Sequence, residues 1–151
     1  MSIGNNLVLL HAFIHVNNPL KESDIQYLTK YPEIVRLSSI LLRLPNDKGT
    51  SNYEMKRGDV PKAIQCYANE AKVSFEEARD YVDGHINETW NKTNKFLFED
   101  DTLPKTFVPV TQNVGRVSLC MYQYGDGHSF RNLETNNRIH AALFDPIPLI
   151  I

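Results

Sequence analysis

Three polar residues stand at intervals of four near the middle of the chain: Asn46, Thr50 and Glu54. On an α-helix this spacing places them along one ridge about 12 Å long, each step rotated by about 40°. The ridge would present an amide oxygen, a hydroxyl and a carboxylate, which are hard oxygen ligands of the kind that magnesium takes in proteins. The three residues therefore form a candidate magnesium site.

Two cationic residues flank this ridge. Arg43 precedes Asn46 by three residues, about one helical turn, and Lys62 follows beyond Gly58. Cations beside oxygen ligands suit a diphosphate, because guanidinium and ammonium groups both bind phosphate oxygens. The spacing alone nevertheless favours a solvated helix face, since polar residues at i, i+4 and i+8 are common on such faces. Both interpretations stay open on residue types alone.

The composition of the chain limits its class. Its 151 residues are enough for one domain with a hydrophobic core. The net charge of −2 argues against a protein that holds nucleic acid by its phosphates, because such proteins carry a basic excess. The longest apolar runs, at 7–10 and 40–42, are too short to span a bilayer. We therefore expect one soluble domain whose partners include neither nucleic acid nor a membrane.

Helical periodicity dominates the sequence, and no strand pattern or internal repeat rises above noise. The pattern predicts an all-α fold of about six helices, with helical segments near 3–16, 22–30, 32–57, 61–71, 74–96, 107–121 and 133–143. The candidate ridge lies in the long third segment, which should end at Gly58. Asp59 is the expected N-cap of the next helix, and Ser74 with Glu77 forms a capping box for the one after it. The apolar tail 146–151 is expected to pack down.

Residues 46–54 read NDKGTSNYE, and RGDV follows at 57–60. This run resembles the second metal motif of plant class I terpene synthases, of the hemiterpene and monoterpene type: Asn/Asp-Asp-x-x-Ser/Thr-x-x-x-Glu, then Arg-Gly-Asp-Val. The run MYQYGDGH at 121–128 is similar to the loop that caps the active site in that family, and LFDPIPL at 143–149 to its C-terminus. The resemblance covers residues 1–151 and implies the C-terminal half of the metal-binding catalytic domain, a partial class I terpenoid synthase bundle.

The resemblance also implies roles for these residues. Asn46, Thr50 and Glu54 would bind one Mg²⁺, with Mn²⁺ as the alternative ion, and Arg43 with Lys62 would contact the substrate diphosphate. The implied reaction is magnesium-assisted loss of diphosphate from an allylic prenyl diphosphate, such as geranyl or dimethylallyl diphosphate, giving a mono- or hemiterpene.

Two further residues, Tyr122 and Asp126, match the lid region in which family members close over the carbocation, and the resemblance therefore implies a catalytic role for both. It also implies a plastid location for full-length relatives, whose transit peptide would lie upstream of Met1; otherwise the location would be cytoplasmic.

Several features depart from the family pattern. The first metal motif of the family, Asp-Asp-x-x-Asp, belongs upstream of the region where this chain begins. Asp100-Asp101 does not replace it, because no third carboxylate follows. An alternative is therefore a truncated, non-catalytic remnant that binds magnesium diphosphate weakly or binds a partner. We expect the 151 residues alone to be inactive, and their exposed apolar surface to self-associate or to contact the missing upstream helices.

The motif itself contains two unusual residues. Pro45 stands inside the predicted long helix, where an interior proline removes a hydrogen bond and is expected to kink the helix. Lys48 stands where the family usually has an aliphatic residue, and a lysine that faces the core needs a partner or a route to solvent.

Overall fold

The computed structural model describes residues 4–16, 19–99, 103–126 and 133–147, and all the regular structure in these ranges is α-helical. The all-α prediction is therefore confirmed. The described ranges contain one helix more than the approximate six predicted, and each corresponds to a segment that the periodicity singled out. In chain order the helices are α1 Asn5–Val16, α2 Glu22–Thr29, α3 Glu33–Arg57, α4 Ala63–Ala71, α5 Phe75–Glu99, α6 Phe107–Tyr122 and α7 Leu133–Leu143.

Helix α3 is the centre of the fold. It packs against α1, α4, α5 and α6. Its first half joins a core shared with α1, α2 and α6, which contains Phe13, Ile34 and Phe107. The middle of α3 joins a core shared with α4 and α5, built around Leu41 and Ile64. A helix held on so many sides gives a rigid support for the side chains that it carries.

The ends of α3 follow from its sequence. The extended backbone of Pro32 forms the N-cap, and Glu33 places a negative charge in the first turn, where the helix dipole favours it. Gly58 ends the helix with φ +76°, a left-handed conformation that costs glycine little. Its N–H donates to the carbonyl of Met55, and the N–H of Asp59 donates to that of Glu54 at 3.0 Å. This paired capping confirms the predicted end of the helix.

The interior proline does not end α3, which continues from Glu33 to Arg57 with Pro45 buried in its middle. A close approach of α6 supports the same region. A Cβ added to Gly115 of α6 would lie 2.7 Å from the ring of Trp90 and 3.0 Å from Leu41, so only glycine allows the two helices this spacing. The packing against α6 holds α3 where its own hydrogen bonding is weakened.

The predicted start of α4 is wrong. Its N-cap is Lys62 and not Asp59, and residues 59–62 are not helical. The carboxylate of Asp59 pairs instead with the guanidinium of Arg57, which draws it back to the end of α3. By contrast, the predicted capping box of α5 is confirmed, because Ser74 and Glu77 exchange hydrogen bonds at 2.8 and 3.2 Å.

Three other expectations concern the second half of the chain. Helix α5 continues to Glu99, beyond its predicted end near residue 96, and residues 127 and 128 of the run that resembles the capping loop lie outside the described residues. The tail does not pack down at Pro146 and Ile147, which are exposed, and the remainder of it also lies outside the described residues. No helix within the described ranges has the length and apolar character needed to cross a membrane.

Candidate magnesium and diphosphate site

The ridge predicted from the sequence forms on the second half of α3. Thr50 is buried, Asn46 is half-buried, and the Thr50 hydroxyl donates to the Asn46 carbonyl at 3.0 Å. Because that bond uses the hydroxyl proton, the lone pairs of Thr50 Oγ1 remain available to a cation. The helix therefore fixes one candidate ligand while leaving its acceptor side open.

Glu54 provides the strongest sign of a cation site. Its side chain is only 12% exposed, and its Oε1 accepts a hydrogen bond from Lys62 Nζ at 2.6 Å. Its other oxygen, Oε2, is buried and has no hydrogen-bond partner. Buried carboxylate oxygens without a partner are rare, since desolvation without a bond is costly. A bound cation would satisfy this oxygen, so the residues present fit a magnesium ion.

A second ion pair lies one turn before the ridge. Arg43 Nε is 2.9 Å from Oδ1 of Asp47, which is 4% exposed. The contact is close enough for charge attraction but lacks hydrogen-bond alignment, since this oxygen has no hydrogen-bond partner. Burial raises the pKa of Asp47, while the charge of Arg43 and a hydrogen bond from the backbone of Ala63 act in the opposite direction. Asp47 thus links α3 to the first residue of α4.

The backbone of Lys62 is anchored to α3 through Gln65. The side-chain oxygen of Gln65 accepts from the Lys62 N–H at 3.2 Å, and its amide nitrogen donates to the Ser51 carbonyl at 3.4 Å. Gln65 is buried, which shields both bonds from water. The two predicted site elements, the ridge and Lys62, are therefore brought together as expected, with a connecting residue that the sequence analysis did not single out.

Helix α5 holds the other flank of α3. Arg79 donates to the hydroxyl of Ser51 at 2.8 Å and to the side-chain oxygen of Asn52 at 2.6 Å. Lys48 reaches Asp83, with its Nζ 2.6 Å from both carboxylate oxygens. The lysine thus finds the partner that its position required. No local sequence signal pairs these residues, because their partners lie about 30 positions away.

The loop after α6 lies directly against the ridge helix. A Cβ on Gly49 would be 3.0 Å from the carbonyl oxygen of Gly125 and 3.1 Å from the Cβ of Tyr122. Asp126 follows in the same loop and is half-buried. The structure therefore brings the predicted lid region to α3, at the glycine between the first two candidate ligands.

Tyr122 faces a cleft of about 500 Å³ between α3, α5, α6 and α7. Lys48 and Asp83 also line this cleft, together with Arg138 of α7, whereas none of the three candidate magnesium ligands does. The structure thus places Tyr122 beside the ridge helix but on a cavity separate from the ligand oxygens.

The donor set of the ridge is mixed. Within the described ranges, no group of three or more His, Cys, Asp or Glu side chains comes together to hold a metal. Glu54 is the one carboxylate of the ridge, and an amide and a hydroxyl complete it. Such a site would leave most of the shell of a magnesium ion to water and to substrate phosphate.

Known proteins are similar to this chain in sequence. Residues 1–92 match the family model described as "Terpene synthase family, metal binding domain". The chain is 49% identical over 149 residues to the chloroplastic terpineol synthase of Nicotiana langsdorffii, covering 98% of this chain and 28% of that protein. It is 47% identical over 150 residues to the chloroplastic limonene synthase of Coffea arabica, covering 98% of this chain and 25% of that protein. The chain thus spans about a quarter of the length of these relatives.

Solved structures share its fold. A limonene synthase with 2-fluorolinalyl diphosphate matches with a TM-score of 0.89 and 36% identity, over 97% of this chain and 27% of that one. Isoprene synthase from grey poplar leaves (Populus x canescens), in complex with three Mg²⁺ ions and dimethylallyl-S-thiolodiphosphate, matches with a TM-score of 0.83 and 32% identity. That match covers 96% of this chain and 28% of that one. The chain therefore belongs to the terpene synthase family, and it contains sequence of that family's metal-binding domain.

Proposed function

We propose that residues 1–151 are the C-terminal half of a terpene synthase metal-binding domain, in which Asn46, Thr50 and Glu54 bind one magnesium ion. The observation that carries this proposal is the buried Oε2 of Glu54, which has no hydrogen-bond partner. On the same ridge, the Thr50 hydroxyl donates its proton to the helix backbone, so its oxygen lone pairs are available to a cation. Mn²⁺ takes similar oxygen ligands and is proposed as a substitute ion.

Two cationic side chains beside the ridge would bind the diphosphate group of the substrate. Arg43 and Lys62 flank the ridge, and we propose that both bind the diphosphate of a substrate. Lys62 already contacts the ridge ligand Glu54 without a substrate present, whereas Arg43 is paired with Asp47. When bound, magnesium would stabilise the negative charge that develops on the departing diphosphate.

The proposed substrate is an allylic prenyl diphosphate, such as geranyl or dimethylallyl diphosphate, and the proposed product a mono- or hemiterpene. Relatives with about half of their aligned residues identical are named for the monoterpene products terpineol and limonene, which favours the longer of the two. The ligands named with the solved neighbours are a linalyl and a dimethylallyl diphosphate analogue. The chloroplastic relatives support a plastid location.

We also propose that Tyr122 and Asp126 act in closing the site over the cation formed from the substrate. The contact of their loop with Gly49 supports this role. A movement of the loop would act directly on α3 at a position between the candidate ligands Asn46 and Thr50. Neither residue is without an interaction partner, so closure would exchange existing contacts for others.

A second function, binding of a further polypeptide, is favoured by exposed apolar side chains. Leu7 and Val8 of α1 are both more than half exposed, beside an apolar groove of about 430 Å³ between α1, α2 and α3. Helix α7 buries none of its residues and leaves Leu133 and Leu143 exposed. Exposed apolar surfaces of this kind mark sites of protein–protein contact, which supports self-association or contact with the additional helices of longer relatives.

One assay separates the two functions. The purified chain is incubated with Mg²⁺ and geranyl or dimethylallyl diphosphate, and released diphosphate and volatile product are measured. Turnover that Glu54→Gln abolishes, and that Glu70→Gln on the exposed side of α4 leaves intact, supports the synthase proposal. No turnover at millimolar Mg²⁺, together with association seen by analytical ultracentrifugation, supports the binding function for this chain alone.

A further inference from the structure

The two ion pairs of the site leave it electrically balanced without any ligand. Arg43 pairs with Asp47 at 2.9 Å, and Lys62 pairs with Glu54 at 2.6 Å, so two positive and two negative charges cancel. A divalent cation entering alone would find one oxygen of its carboxylate ligand already bonded to an ammonium group. A diphosphate entering alone would meet two carboxylates. Each ligand alone is therefore opposed by the charges present.

Lys62 is built so that its side chain can change partner while its backbone stays in place. Its N–H is fixed by Gln65, which in turn is bonded to α3, and the next residue lies against Asp47. The side chain has four rotatable bonds and remains 23% exposed, compared with 12% for Glu54. A lysine with a fixed backbone and a flexible side chain can move its charge by several ångströms without disturbing the fold.

We propose that Lys62 is a latch that couples the binding of magnesium to that of diphosphate, an inference that rests on the proposed function of the ridge. Without ligand, its ammonium group holds Glu54 and opposes a cation there. When magnesium and diphosphate enter together, Lys62 leaves Glu54 for a diphosphate oxygen, and both oxygens of Glu54 become available to the ion. The same residue thus weakens the binding of metal alone and strengthens the binding of the pair.

This coupling is reciprocal by thermodynamic linkage: whatever factor the diphosphate adds to the affinity for metal, the metal adds to the affinity for diphosphate. Lys62 contributes to that factor because it has one partner in each state. Arg43 differs, because its partner Asp47 is bonded to the backbone of α4 and is not one of the ridge ligands. Lys62 is therefore the residue whose removal should separate the two binding events.

The test compares three versions of the 151-residue chain: wild type, Lys62→Met and Lys56→Met. Lys56 lies on the same helix two residues after Glu54, is exposed, and provides the matched loss of one positive charge. Binding of Mn²⁺ alone is measured by electron paramagnetic resonance. We expect Lys62→Met to bind Mn²⁺ roughly three- to tenfold more tightly than wild type, since it removes both a competitor and a repelling charge. Lys56→Met should change the affinity less than about twofold, because exposed charges are screened.

The second arm adds inorganic pyrophosphate at a fixed concentration. Pyrophosphate should raise the Mn²⁺ affinity of wild type and of Lys56→Met, after correction for complexes formed in buffer, and raise that of Lys62→Met much less. Equal or weaker binding of Mn²⁺ alone by Lys62→Met would overturn the latch. If that result accompanies binding that Glu54→Gln abolishes, the metal site itself stands. Absence of Mn²⁺ binding by both wild type and Lys62→Met would overturn the latch and the proposed function together.

Discussion

Gly49 of α3 and Gly125 in the loop after α6 lie so close together that a side chain at Gly49 would be crowded by the loop. A Cβ on Gly49 would lie 3.0 Å from the Gly125 carbonyl oxygen, a backbone atom that cannot rotate away. Gly125 itself has φ +112°, a conformation that other residues rarely adopt. The pair therefore joins α3 to the proposed lid through backbone contact. A side chain at Gly49 would crowd the loop, whereas a Cβ at Gly125 would lie 3.9 Å from the Gly49 carbonyl oxygen and is opposed by the positive φ instead.

The first prediction concerns Gly49→Ala. The added methyl should displace the loop and lower the free energy of unfolding by about 1 kcal/mol, the net of an overpacking cost of about 1–3 kcal/mol and a helix-propensity gain near 1 kcal/mol. Urea denaturation measures the change. Gly84→Ala in α5 is the matched control, because a Cβ there meets nothing within 4 Å, and this variant should be stabilised by up to about 1 kcal/mol. Equal stability of the two variants would contradict the close packing.

The second prediction tests the ligand role of Thr50. Thr50→Val keeps the shape of the side chain but loses the hydroxyl oxygen, so affinity for Mn²⁺ should fall by at least about tenfold. Thr50→Ser keeps the oxygen and should stay within a few-fold of wild type. Both affinities are read by electron paramagnetic resonance, and circular dichroism checks that the helices are retained. Wild-type affinity in Thr50→Val would remove this residue from the site.

The third prediction concerns the ion pair of Lys48 with Asp83, which joins α3 to α5. Its side chains are 36% and 42% exposed, so solvent screens much of the attraction. A double-mutant cycle with Lys48→Met and Asp83→Asn should give a coupling of about 0.5–1 kcal/mol in low salt. The coupling should shrink in 1 M NaCl, where charges are screened within about 3 Å. A value that does not respond to salt would mean that packing, and not charge, joins these two side chains.

The fourth prediction is a pH dependence at the start of α5. Hydrogen bonds from Ser74 lower the pKa of Glu77 below its usual value of 4.5. Because a lowered carboxyl pKa favours the folded chain only while the group is charged, this stabilisation is present above pH 4.5 and is lost as the pH falls below it. Ser74→Ala should therefore be less stable than wild type at pH 7.

The difference between the two chains should narrow as the pH drops toward 3. Thermal unfolding across the pH range measures this difference in stability. Glu76→Gln, which removes a neighbouring exposed carboxylate, serves as the control. A gap between wild type and Ser74→Ala that is constant from pH 7 to pH 3 would contradict the role of Glu77.

Local signals in the sequence were sufficient to predict the helices. The end of α3 at Gly58 and the capping box of Ser74 with Glu77 depend on residues within a few positions of each other, so both could be predicted. The start of α4 was predicted wrongly because the Asp59 carboxylate has two possible partners nearby: the backbone N–H groups of the next helix and the guanidinium group of Arg57. Asp59 is a good N-cap in isolation, but Arg57 takes its side chain.

The candidate site divides in the same way. The spacing of Asn46, Thr50 and Glu54 indicated a ridge, and the family resemblance supplied their proposed roles. The supports of that ridge could not be predicted, because Arg79 and Gln65 reach it from other helices. The open oxygen of Glu54 was also unpredictable, since it depends on how deeply packing buries the carboxylate.

The supports of the ridge have a further consequence for how the chain is made. Gln65 lies 14 residues after its partner Ser51, and Arg79 lies 28 residues after it, whereas α6 reaches α3 through bonds that span more than 70 residues. Contacts that are near in sequence close fastest. During synthesis the ridge of α3 would therefore take its shape once α5 has left the ribosome, before the loop that meets Gly49 has emerged. The candidate cation site and the proposed lid would therefore fold in that order, as two successive steps on the nascent chain.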